Sequence, residues 1–131
     1  MVATAKDYVP KYQSLPHNVY MQVLYLIRDY DRMKAEYNAV VDESPVPPDG
    51  AGGKSGPSDP TGNKAVKLES LGRKISAVET GLNAIPEEYR KAIYNNIVYR
   101  IPYDTRYTSY YTYRYHRSRA MRVVARKLGM I

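Results

Sequence analysis

The chain has 131 residues, 44% hydrophobic and 25% charged, the composition of a folded rather than a disordered protein. It contains no cysteine, which excludes disulfides, thiolate metal sites and cysteine nucleophiles and fits a reducing cytoplasm. Its net charge of +7 lies at one end: residues 1–85 balance ten Lys/Arg against ten Asp/Glu, while residues 86–131 set ten cations against Glu87, Glu88 and Asp104. A one-sided basic region is the footprint of a polyanion binder.

The segment Met1–Lys11 has no apolar core of the kind a secretory leader carries. No later stretch approaches the ~20 apolar residues that span a bilayer. The expectation is a cytoplasmic protein with no membrane partner.

Apolar periodicity predicts one long helix from about Pro16 to Val41. Val19, Val23, Leu26, Tyr30, Met33, Tyr37 and Val40 recur at alternating steps of four and three, and Tyr20, Leu24 and Ile27 widen the stripe. Residues 43–59 are dominated by Gly, Pro, Ser and Asp and read as a flexible linker. A second helix is expected over about 60–85, capped by Ser58 or Asp59, with its own seam of Leu68, Leu71, Ile75, Val78, Leu82 and Ile85. Two seams joined by a loop predict a long antiparallel helical hairpin over residues 1–85. Pairing between two copies of the chain would satisfy the same pattern. Gly72 and Gly81 weaken the second helix by up to ~1 kcal/mol each relative to Ala.

Pro86 opens a third helix, with Glu87 and Glu88 in the dipole-favoured first turn, and Pro102 ends it near Tyr99 or Arg100. A turn or very short helix is expected between Ile101 and Tyr107. A last helix follows from about Thr108 or Ser109 to Leu128, with Gly129 as its stop. The fold class expected is thus all-α, with residues 86–131 as a small basic helical module like a helix-turn-helix.

On a helical wheel the second half of the last helix has a core stripe of Met121, Val124, Ala125 and Leu128. The first half carries tyrosines and arginines instead, so it is expected to project toward a ligand. Tyr115, Arg119, Arg122 and Arg126 line the side opposite the stripe. Nine of the 15 tyrosines fall in the C-terminal third, interleaved with arginine, and the chain has no Phe or Trp. That pairing suits nucleic acid through stacking and hydroxyl–phosphate bonds. Tyrosine can equally replace Phe in a small core, which is the expectation for Tyr89, Tyr94 and Tyr99 and for about half of Tyr107, Tyr110, Tyr111, Tyr113 and Tyr115. The DNA-contacting set expected is Arg106, Thr108, Ser109, Tyr110, Tyr111, Thr112, Tyr113, Arg114, Arg117 and Arg119.

Catalysis is not expected. His116 and Arg119 spell His-x-x-Arg, as in tyrosine recombinases, yet no tyrosine follows His116 to act as nucleophile. His17 and His116 lie far apart with no metal-ligand spacing around them, so neither a metal nor a cofactor is anticipated.

Several segments together resemble the RinA-type phage transcriptional regulators, akin to the ArpU-like late activators. They are LPHNVYMQVLYLIRDYDRMKAEYN (Leu15–Asn38), SGPSDPTGNKAVK (Ser55–Lys67), IPEEYRKAIYNNIVYR (Ile85–Arg100) and VARKLG (Val124–Gly129). The resemblance implies activation of late phage genes in a bacterial host, with a C-terminal part similar to region 4 of sigma factors. It makes Pro86–Tyr99 the supporting helix and Thr108–Leu128 the recognition helix, and RNA polymerase or a second copy the partner of the hairpin. Sigma-like modules carry a full helix between those two; here only Arg100–Tyr107 is available. The alternative class is a structural or DNA-packaging component that assembles through the hairpin and touches DNA without sequence preference.

Overall fold

The computed structural model describes residues 15–42 and 60–131, with side chains from Gly62 onward in the second stretch, and every regular element in them is an α-helix. The helices are α1 (His17–Arg28), α2 (Tyr30–Asp42), α3 (Pro60–Asn83), α4 (Glu87–Tyr99) and α5 (Tyr110–Lys127). The predicted linker over 43–59 and the cap at Ser58 or Asp59 lie outside the described residues.

The stretch expected as one helix from Pro16 to Val41 is two. Asp29 separates α1 from α2 with φ −92° and ψ 2°, the bridge conformation rather than the helical one. Its amide still reaches back to the carbonyls of Tyr25 and Leu26, and its own carbonyl accepts from Met33, so the hydrogen-bond ladder continues past the break. Arg32 grips both carboxylate oxygens of Asp29 at 2.6 Å and reaches Glu36 at 2.7 Å. The hydrogen bond from Arg32 holds the Asp29 carboxyl below its usual pKa. The apolar stripe of α1 and α2 serves two clusters. Val23, Leu24 and Ile27 of α1 enter a core shared with α3, α4 and α5, whereas Met33 of α2 packs on Leu71 and Ile75 of α3.

The contacts of α2 with α3 descend along α3 as α2 ascends. Tyr30 and Lys34 both meet Glu79, Tyr37 lies against Gly72, and Glu36 pairs with Lys67 at 3.0 Å. These two helices therefore run in opposite directions. Tyr30 donates to Glu79, as does Lys34 at 3.0 Å, and the two bonds lower the Glu79 pKa.

The main core gathers Val23, Leu24 and Ile27 with Ala77, Val78, Ile85, Ile93, Ile97, Tyr113, Ala120, Met121, Val124 and Ala125. Residues 86–131 thus share one core with α1 and α3. Polar ties reinforce it: Arg28 Nε donates to the Ile97 carbonyl at 2.8 Å, and Tyr94 donates to Asp31 at 3.0 Å. At Gly81, α3 and α5 approach closely. A Cβ built there would lie 2.5 Å from Val124 Cγ2 and 2.7 Å from the Ala120 carbonyl oxygen. Gly81, which weakens α3 as an isolated helix, is thus what allows α5 to seat on it.

Helix ends follow their local chemistry. Ser109 caps α5 by accepting from the Thr112 amide at 3.3 Å. Gly129 takes the left-handed conformation, φ 74°, just past its C-terminus. At the end of α4, Arg100 adopts φ 60°, and Asn96 donates to the Ile101 carbonyl at 2.9 Å. No helix forms between Arg100 and Ser109.

Candidate nucleic-acid interface

The expected contact residues fall into three environments. Tyr113 departs furthest from the expectation of a ligand-facing first half of α5. It is only 9% exposed and lies in the main core, with its hydroxyl donating to the Asp104 carbonyl at 3.0 Å. Its ring stacks on Tyr103, with centroids 4.6 Å apart and planes 5° apart, and meets Tyr89 edge-on at 5.6 Å. The first half of α5 is therefore held to the protein by an aromatic cluster instead of projecting freely. Tyrosine takes the place an aliphatic side chain holds in the second half, and hydrogen bonding to backbone allows its hydroxyl to be buried.

Arg117 is the second departure. Its guanidinium lies over the Tyr20 ring, 5.5 Å from the centroid, and donates to the Tyr20 hydroxyl at 3.0 Å. This contact joins α5 to α1 across 97 positions of sequence, so Arg117 has a structural role whatever else it touches. Arg117→Ala is expected to destabilise the fold by about 1 kcal/mol, through loss of the cation–π contact and the hydrogen bond. Urea unfolding of the variant checks this; an unchanged midpoint would return Arg117 to the surface.

The third group is engaged locally yet open to solvent. Arg106 wraps the Asp104 carboxylate at 2.7–3.2 Å, and these bonds hold the Asp104 pKa at about 2. The charge of Arg106 is thereby balanced within its own loop. Ser109 and Thr112 hydroxyls lie 3.1 Å apart in the cap of α5. Thr108 and Tyr111 are half-buried, while Tyr110 and Arg114 are exposed. Tyr107, beside Arg106, is 86% exposed, the most open large hydrophobic side chain among the described residues.

What remains is the face of α5 turned away from the core. Tyr115, Arg119, Arg122 and Arg126 recur at steps of four, three and four along it, with Arg122 half-buried and the others exposed. At 1.5 Å per residue they extend over about 16 Å. The helix contains no acidic residue, and among the described residues no ion pair reaches Arg119, Arg122 or Arg126. Arg119 makes one long hydrogen bond to the Ala84 carbonyl, 3.4 Å. The helical wheel puts Arg122 and Arg126 on this side, but the expected contact set includes only Arg119, because it assigns the ligand to the first half of the helix. The burial of Tyr113 shifts the weight to the middle and end.

No family model, curated protein or solved structure matches the chain.

His116, on the edge of the aromatic cluster, is half-buried. It stacks on Tyr89 at 4.5 Å, and its Nδ1 is buried with no hydrogen-bond partner. Burial pushes its pKa below the ordinary 6.5, Arg119 pushes the same way, and Glu88 opposes them. A depressed folded-state pKa makes the neutral ring the favoured form. Its contribution to stability is therefore complete above 6.5 and is lost as pH falls through the folded-state value. Between pH 7.5 and pH 5 the melting temperature is expected to fall more in the wild type than in His116→Phe, which keeps a stacking ring. Equal falls would show that His116 does not drive the acid sensitivity. No group of three or more His, Cys, Asp or Glu that could hold a metal ion occurs among the described residues, and none of their helices is long and apolar enough to cross a membrane.

Proposed function

We propose that this protein is a duplex-DNA-binding transcriptional regulator that lays the solvent face of α5 against the nucleic acid. One observation carries the reading: Tyr115, Arg119, Arg122 and Arg126 form a single basic face on a helix without acids, in the third of the chain that holds all the excess charge. Major grooves are about 12 Å wide and admit one α-helix. Arginines spaced along ~16 Å of that helix can reach phosphates on both walls, or guanine edges between them. Arg114 and the Tyr107 tip extend the contact at the start of α5. In this reading α4 is the supporting helix and α5 the recognition helix of an abbreviated helix-turn-helix, whose middle helix is replaced by the 100–109 connector.

The likeness of Leu15–Asn38 and Ile85–Arg100 to RinA-type and ArpU-like regulators supports an activator of phage or prophage late genes, acting in the bacterial cytoplasm. The antiparallel α2 and α3 then form the hairpin that meets RNA polymerase or a second copy of the chain. A packaging or scaffold role is favoured by one feature: the exposed face of α5 offers arginine and tyrosine but no Asn or Gln for adenine.

Titration of the protein against a pool of genomic duplex fragments at two salt concentrations, with sequencing of the retained DNA, separates the two. A regulator retains one or a few fragments that persist at the higher salt. Uniform, salt-sensitive retention would replace regulation with packaging, and no retention at either salt would exclude duplex DNA as the ligand.

A further inference from the structure

A cleft of about 720 Å³ opens where α1, the first half of α3 and the residues just past α5 meet. Its volume falls within the ~300–1,000 Å³ typical of small-ligand sites. The helical repeat puts Val66, Ser70, Ala77 and Gly81 along one side of α3. That line is buried at Ala77 and at Gly81, where α5 seats, but exposed at Val66 and Ser70, which line the cleft. The left-handed Gly129 and the bond from the Met130 amide to the Ala125 carbonyl, 2.8 Å, set the backbone from which Leu128 and Met130 join the lining. Leu26 and Tyr25, the latter 58% exposed, add to the apolar wall from α1. Apolar side chains gathered in one concavity, unlike single exposed ones, mark a binding site.

Charge sits at the edges of that wall. Arg73 and Lys74 stand on either side of the Val66–Ser70 line, and Glu69 is the one acid among the lining residues. Among the described residues none of these three forms an ion pair, whereas Lys67 and Glu79 of the same helix both do. Arg73 makes no side-chain hydrogen bond there either. Lys74 acts electrostatically on Asp29, whose carboxylate Arg32 already grips. Two cations against one acid suit a ligand with a single negative charge. We propose that this cleft binds an aliphatic carboxylate, with its chain on Leu26, Val66, Leu128 and Met130 and its head on Arg73. One guanidinium fork satisfies a planar carboxylate. Lys74 adds attraction from the other flank, and Glu69 disfavours a doubly charged head such as a phosphate monoester. The flexible thioether of Met130 can adapt to chains of different length. The proposal does not rest on the DNA-binding reading.

The test is isothermal titration calorimetry of the full chain with hexanoate, octanoate and decanoate, each below its micelle concentration. Decyltrimethylammonium, the same chain length carrying a cation, is titrated beside them. One decanoate is expected per chain, bound roughly tenfold more tightly than octanoate, at ~0.8 kcal/mol per added methylene. Octanoate should exceed hexanoate by a similar ratio, and decyltrimethylammonium should bind far more weakly than decanoate. Arg73→Gln, at an exposed position, is expected to keep the wild-type melting temperature and the chain-length ratio, yet to bind decanoate roughly fivefold more weakly. Val66→Ser is expected to weaken decanoate more than hexanoate. Replacing Arg119, Arg122 and Arg126 by Gln should leave decanoate binding as in wild type. The proposal is overturned if no carboxylate binds, if affinity does not grow with chain length, or if the cationic amphiphile binds as tightly as decanoate. It is overturned equally if the α5 variant, and not Arg73→Gln, loses binding. A protein that fails to bind duplex DNA would still give the same titration.

Discussion

Gly81→Ala is expected to lower the stability of the protein by about 2 kcal/mol, although alanine is the better helix former. In an isolated helix the substitution would stabilise by up to ~1 kcal/mol. Here the new methyl would sit 2.7 Å from the Ala120 carbonyl oxygen and 2.5 Å from Val124 Cγ2. Val124 can turn about χ1, but the Ala120 oxygen is backbone within α5 and moves only with the helix. Seating the methyl forces α3 and α5 apart along the core that holds Val78, Met121 and Val124. Overpacking of this kind costs about 1–3 kcal/mol, and a clash against helix backbone belongs at the upper end, which leaves about 2 kcal/mol after the propensity gain. A loss near 2 kcal/mol corresponds to a fall of roughly 10 °C in melting temperature for a domain of this size.

Gly72→Ala is the internal control. It lies in the same helix, and its added methyl meets only Tyr37 Cε2 at 3.4 Å, the far end of a side chain that can move. Stabilisation of about 0.5–1 kcal/mol is expected there, since propensity acts unopposed. Urea unfolding of both variants followed by circular dichroism gives the comparison. Gly81→Ala as stable as Gly72→Ala would mean that α3 and α5 do not approach each other so closely.

Replacing Arg119, Arg122 and Arg126 together by Gln is expected to weaken duplex binding on the order of a hundredfold at moderate salt, at ~1 kcal/mol per arginine. Each phosphate left without its arginine also takes about 0.9 from the slope of log K against log salt, so the slope should flatten by roughly 2.7. Little within the protein holds these side chains beyond the bond of Arg119 to the Ala84 carbonyl. The melting temperature should accordingly change little. A normal slope with weakened binding would place these arginines on bases rather than on phosphates.

Much of the architecture is legible in the sequence because it follows from periodicity and end signals. Ile93 and Ile97 are buried four residues apart on one face of α4, and Ser109 and Gly129 bound α5 through the cap and left-handed chemistry that their residue types favour. The break at Asp29 is not legible. Met33 continues the spacing of Val23 and Leu26 without interruption, and nothing in that spacing marks Asp29 as the residue that leaves the helical conformation. Gly81 reads as a weakness because a wheel shows one helix, whereas its meaning lies in a second helix pressed against it.

The candidate interface is half legible. Charge asymmetry locates it in residues 86–131, and the wheel groups Tyr115 with Arg119, Arg122 and Arg126. What the wheel does not show is which tyrosines serve as core. Tyr113 is buried because Tyr89, Tyr103 and the Asp104 carbonyl converge on it from α4 and the connector. Arg117 reads as a contact for a similar reason: its partner Tyr20 is 97 positions away, and no local pattern links them.

Two charge-matched triple variants, compared in one salt titration against duplex DNA, decide whether the exposed face of α5 is the interface. Arg119, Arg122 and Arg126 are changed to Gln in the first; Lys67, Arg73 and Lys74, exposed on α3, are changed to Gln in the second. Both variants have three fewer positive charges, so any difference reports geometry and not net charge. A roughly hundredfold loss of affinity and a flattened salt slope are expected for the first, and at most a few-fold loss with the wild-type slope for the second. Equal losses and equal slopes in the two variants would contradict the assignment of the interface to α5.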